Sequence, residues 1–106
     1  MGNKIAQFEA LAERLVEGTF ARLFAGQLRP LEVATHLTRA MEDHQVIGPE
    51  GTPQAPTHYR VYLNPDDCDA LALKQPDLEQ KLAYHVTELA KQAALKLIRE
   101  PIVHVL

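Results

Sequence analysis

Leu28-Arg29-Pro30-Leu31-Glu32-Val33-Ala34 opens a helix, and that reading decides the fold of this 106-residue chain. Pro30 fits the first helical position, where its missing N–H needs no partner. Glu32 falls in the first turn, where the helix dipole favours an anion. Val33, Leu37, Ala40 and Met41 come next at helical spacing as a buried stripe, which His44 continues at the frayed end. Upstream, Ile5, Phe8, Ala12, Leu15, Thr19 and Leu23 recur at steps of three and four and predict a first helix over residues 3–25. Phe20, Leu23 and Phe24 thicken its apolar side near the end. Gly26 suits the left-handed position that closes a helix. Gly18 falls in mid-helix, where glycine costs on the order of 1 kcal/mol against alanine. A close approach of another helix would explain it.

Downstream, Gly48, Pro49, Gly51, Pro53 and Pro56 mark residues 46–57 as a mobile loop without regular structure. His58 to Leu63 then alternates, with Tyr59, Val61 and Leu63 pointing one way and His58, Arg60 and Tyr62 the other, as in a half-buried strand. Asn64-Pro65-Asp66-Asp67 reads as an N-cap, a first-turn proline and two acids at the positive end of a dipole, so a short helix spans about 65–73. Pro76-Asp77 repeats the start signal. A helix to about residue 98 comes after it, with Leu78, Leu82, Val86, Leu89, Ala93 and Leu97 on one face. Pro101 breaks it, and Ile102-Val103-His104-Val105-Leu106 is a β-branched run that reads as a strand. Because that strand reaches the last residue, the sequence is expected to be part of a longer protein.

The order α-α-β-α-α-β predicts a two-layer α+β domain, four helices on a small sheet that contains 58–63 and 102–106. Two strands alone are marginal. A third is expected from beyond residue 106, from the 46–57 loop, or from a second copy in a homodimer paired through the Ile102–Leu106 edge.

Composition narrows the function. Apolar residues make up 46% of the chain, too many for disorder and enough for one core without staples. A net charge of −3 argues against a dedicated nucleic-acid binder, which needs clustered Lys and Arg to neutralise phosphates. Cys68 is the single cysteine, so no internal disulfide forms, which fits a cytoplasmic location. No apolar run approaches the roughly 18 residues of a membrane span, and the start lacks the apolar stretch of a signal peptide. Met1-Gly2 opens a myristoylation pattern that fails at Ala6, where Ser or Thr is needed.

No residue set carries a reaction. His36 and His44 are eight apart on one helix, hence about 12 Å apart by helical rise. Neither an HxxxH nor a CxxC spacing occurs. Helix capping accounts for the acids beside Cys68, and nothing marks an orienting group or oxyanion hole for a Cys–His pair. We therefore expect no metal, no cofactor and no catalysis. Gly48-Pro49-Glu50-Gly51 is formally a GxxG, the loop with which KH domains clamp a nucleic-acid backbone. In KH domains it joins two helices. Here it lies between a helix and a strand and carries an acid. A flexible loop is the better reading, with a KH-like nucleic-acid-binding module as the alternative. Binding patches on small modules are apolar at their centre. That singles out Phe20, Phe24, Tyr62 and His58 as partner-binding candidates, with Arg22 and Arg29, which flank the Gly26 turn and read first as a solvated face and second as a docking surface for an acidic protein partner.

Phe8-Glu9, the run from Leu15 to Phe24, Leu28 to Ala34, and Arg39-Ala40-Met41-Glu42 resemble the opening of the N-terminal domain of bacterial FHA-domain proteins of the FhaA type. Pro56 to Asp67 and the final strand from Pro101 resemble the same family's strand and helix start. The resemblance implies a non-enzymatic interaction module, trailed in that family by a linker and a phosphothreonine-binding FHA domain. Its setting would be Ser/Thr-kinase signalling linked to cell-wall growth and division. The FHA domain itself is absent from these residues, so phosphothreonine recognition falls on none of them. The sequence has no serine, so a phosphorylated module would use threonine, with Thr52 and Thr57 the most accessible acceptors.

Overall fold

The computed structural model describes residues 4–24 and 28–106, and the side chains of residues 8–24 and 28–106. The expected start at residue 3, the Ile5 side chain, the Gly26 stop and the Met1-Gly2 start therefore lie outside the described residues. The chain forms α1 (Lys4–Val16), a 3-10 helix (Thr19–Phe24), α2 (Pro30–Asp43), β1 (Val46–Ile47), β2 (Pro53–Gln54), β3 (His58–Val61), α3 (Pro65–Lys74), α4 (Leu78–Gln92) and β4 (Ile102–Val105). The architecture is α+β, with helices packed on two small sheets. β1 and β2 pair antiparallel, and β3 and β4 pair parallel.

The first helix differs from expectation. It is two pieces, and Gly18 marks the break. Among the described residues no helix approaches there: a Cβ added at Gly18 would meet nothing nearer than the Leu15 carbonyl oxygen at 3.8 Å. The Glu17 and Gly18 N–H groups bond back to Arg14 and Leu15, tightening the last turn. The break rotates the 3-10 helix relative to α1. Phe20, Leu23 and Phe24 turn inward, while Thr19 is left exposed.

α2 matches the sequence closely. Arg29 is extended as N-cap, Pro30 takes the first turn, and Val33, Ala34, Leu37, Thr38 and Met41 are buried. The Thr38 hydroxyl donates to the Thr35 carbonyl at 3.0 Å, which offsets the cost of burying it. His44 is exposed as the C-cap and does not extend the stripe.

Residues 46–57 are not structureless. Gly48 N–H donates to Thr52 O at 2.8 Å and Gly51 N–H to Gly48 O at 3.0 Å, closing the β1–β2 hairpin. Gly51 sits at φ +76°, a left-handed position that glycine takes without strain. The segment is tied down further along. Ala55 N–H donates to Lys96 O at 2.9 Å, Lys96 N–H donates to Pro53 O at 3.0 Å, and Ala55 is buried.

Asn64 caps α3 as expected, its Oδ1 accepting from Asp66 N–H at 2.9 Å. α4 ends six residues before the expected limit. Ala94 adopts φ +58°, with Ala94 N–H bonded to Lys91 O and Leu95 N–H bonded to Ala90 O. This pair of reversed bonds is a Schellman closure. It turns the chain so that Leu95 is buried and Lys96 reaches β2.

The core lies between the helices and the β3–β4 sheet. Phe20, Phe24, Met41, Leu71, Leu82, Val86 and Leu89 are almost wholly enclosed. Full burial of such side chains stabilises by roughly 1.5–3 kcal/mol each. Phe20 meets Phe24 edge to face at 5.2 Å and His85 at 5.4 Å. Among the described residues no helix is long and apolar enough to cross a membrane.

Candidate functional site

β3 joins the short turn after Pro56 to the α3 cap, and its period of two separates two faces. Tyr59 is buried and Val61 half-buried, while His58, Arg60 and Tyr62 are exposed. Backbone pairing separates two edges as well. Ile102 N–H donates to Thr57 O, Leu106 N–H donates to Val61 O, and Leu63 N–H donates to Leu106 O. In a parallel ladder alternate residues of a strand bond to the same neighbour. Odd-numbered residues therefore direct their N–H and C=O groups at β4, and His58, Arg60 and Tyr62 direct theirs to the opposite edge.

That opposite edge faces α2 across an open groove of about 1040 Å³. Val33, Leu37 and Ala40 supply its apolar floor from α2, and Arg29, Glu32, His36 and His44 line its α2 wall. His58, Arg60 and Tyr62 line the strand side, and His104 reaches it from β4, where it is the register partner of Arg60. Arg29 and Glu32 form a loose, exposed ion pair at 4.0 Å, worth little in solvent. Among the described residues the groove thus gathers two arginines and four histidines around one glutamate in a chain of net charge −3. Tyr59 also lines it, with a buried hydroxyl that has no partner among the described residues. Burial pushes that phenol above its ordinary pKa. It stays neutral.

The two edges of the sheet are not equivalent. The outward N–H of Val105 on β4 donates to Glu79 Oε2 of α4 at 2.7 Å. β4 is therefore capped by a carboxylate at its outer edge, whereas β3 faces an open groove.

The candidate partner-binding residues separate accordingly. Phe20 and Phe24 are 0% and 1% exposed, so they are core residues and do not form a surface patch. The break at Gly18 is the reason. Tyr62, 71% exposed, and Arg29 lie on the groove. Arg22 lies apart from it, in a smaller hollow with Lys81 and Tyr84. Thr52 is exposed next to the hairpin turn, and Thr57 is half-buried at the end of the groove, its Oγ1 3.4 Å from His58 Nδ1. Cys68 is half-buried and unpaired by any disulfide. Among the described residues no three His, Cys, Asp or Glu side chains are placed to hold a metal ion.

Arg60, His36 and His104 carry no sequence signal that marks them as site residues. The exposed face of β3 is legible from its alternation. The expected sheet of 58–63 with 102–106 forms, but the parallel register that brings His104 beside Arg60 is not legible. Gly48–Gly51 is spent on its own hairpin and does not line the groove.

Among protein families, the model of the FhaA N-terminal domain matches residues 5–106. No curated protein and no solved structure matches the chain. The matched family is a non-catalytic region of FHA-domain proteins. With the match running from α1 to the end of β4, the chain belongs to the FhaA N-terminal domain family.

Proposed function

We propose that this domain is a protein-docking module of an FHA-domain protein. It would bring a partner to the phosphothreonine-reading domain, in the cytoplasm and within Ser/Thr-kinase signalling linked to cell-wall growth or division. The observation that supports this reading is the groove between α2 and the edge of β3 that no described residue pairs, which combines an apolar floor with a basic and histidine-rich rim. Interfaces of small modules have this anatomy. Thr52 and Thr57 are the proposed phosphoacceptors. A phosphate on Thr57 would place a charge near −2 beside the same groove.

The test is affinity capture with the domain from lysate of its own host, with and without nuclease and at two salt concentrations. Recovery of a defined set of proteins, insensitive to nuclease, is the expected result. Recovery that disappears with nuclease or falls steeply with salt would replace this reading with KH-like nucleic-acid binding.

A further inference from the structure

We infer that the open edge of β3 takes up an extended acidic segment of a partner protein as an added strand, an inference that rests on the protein-docking reading above. Three observations carry it. The N–H and C=O groups of His58, Arg60 and Tyr62 point away from β4, so they offer an extended chain alternate donors and acceptors at strand spacing. The groove beside them has the volume of a ligand-sized cleft, with Val33, Leu37 and Ala40 at its base. Its rim carries Arg29 and Arg60 against a single glutamate, Glu32, among the described residues of a chain of net charge −3.

Strand geometry then specifies the occupant. Successive side chains of an added strand point to opposite faces. Those facing inward meet the α2 floor and are apolar. Those facing outward lie beside Arg60 and are acidic, since opposite charges across neighbouring strands attract and like charges repel. A segment of alternating acidic and β-branched residues satisfies both faces. A nucleic acid fits less well, because the GxxG that would clamp its backbone is closed within the β1–β2 turn and stands outside the groove. The other strand edge is a poorer site, since Glu79 already occupies the outward N–H of Val105.

The probe is a blocked peptide of alternating Glu and Val, titrated into the isotope-labelled domain and monitored by NMR. Binding should protect the amides of Arg60 and Tyr62 from exchange. A Lys–Val peptide should not bind. N-methylation of the peptide at every second residue should abolish binding in one of the two alternating sets and spare it in the other, which leaves the protein unaltered. Arg60→Glu, at an exposed position, should weaken binding about tenfold, roughly the sum of an attraction lost and a repulsion gained. Perturbations confined to other surfaces, or affinity indifferent to the N-methylation set, would overturn the inference. Host proteins captured equally by the wild type and Arg60→Glu would also overturn it, while leaving the docking function intact. Displacement of the peptide by a single-stranded oligonucleotide that binds the same edge more tightly would overturn both.

Discussion

His85 is the residue whose ionisation the fold opposes. It is 9% exposed and stacks edge to face on Phe20 and Tyr84. Burial lowers its pKa, and the nearby Glu88 offsets this in part. The folded state therefore prefers the neutral ring, and the unfolded state takes up a proton first. Stability from this group is fully present above the unfolded value of about 6.5 and is lost as pH falls from there through the lowered folded value. Urea denaturation across that range should show stability declining with acid. His85→Leu should flatten the decline, and an unchanged slope would place its origin elsewhere. Helix geometry explains the contrast with its neighbour: His85 lies three residues past Leu82 on the apolar face and packs on Phe20, while Tyr84, about 100° away around the helix, is 60% exposed.

At the scale of elements, legibility tracks the chemical punctuation. α2 and α3 begin where Pro30, and Asn64 with Pro65, predict, because those residues satisfy or avoid the orphan N–H groups of a first turn. The end of α4 carries no such mark. It closes at Ala94 in a left-handed conformation usually taken by glycine, so the apolar periodicity reads on through Leu97. Ala94→Gly should relieve that strain and raise stability by about 0.5–1 kcal/mol, since the loss of Cβ removes a steric penalty larger than the entropy glycine adds to the unfolded chain. Denaturant melts decide it, and a destabilised variant would contradict the geometry. Gly18 is legible as an anomaly but not in its cause: the turn ends a helix and does not admit a neighbour. The hairpin at Val46–Gln54 is hidden because its strands are two residues each, too short for any period to register.

For the whole molecule, the α+β class and the sheet shared by 58–63 and 102–106 are legible, but the parallel register of β3 with β4 and the approach of α2 that forms the groove are not. The same pairing sets the assembly behaviour. A two-stranded sheet has two edges, and each is a template for another strand. Glu79 reaches from α4 to hold one of them. Glu79→Ala should cost about 1 kcal/mol, the worth of a charge-assisted hydrogen bond at an exposed site, and should expose the Ile102–Leu106 edge to a second copy. Sedimentation analysis should then show a concentration-dependent dimer that the wild type lacks. A monomeric variant would remove the homodimer from consideration, and an equally dimeric wild type would show that the carboxylate does not guard the edge.

The separation of β3 and β4 in the chain also has a consequence for biosynthesis. A nascent polypeptide leaves the ribosome from its N-terminus, so β3 emerges before its intramolecular partner Ile102–Val105. During that interval both sides of β3 are bare. The side that β4 will later claim is as open to chaperones and neighbouring nascent chains as the side facing α2. Slow elongation once β3 has emerged therefore lengthens the time the future sheet stays exposed and favours aggregation over native assembly.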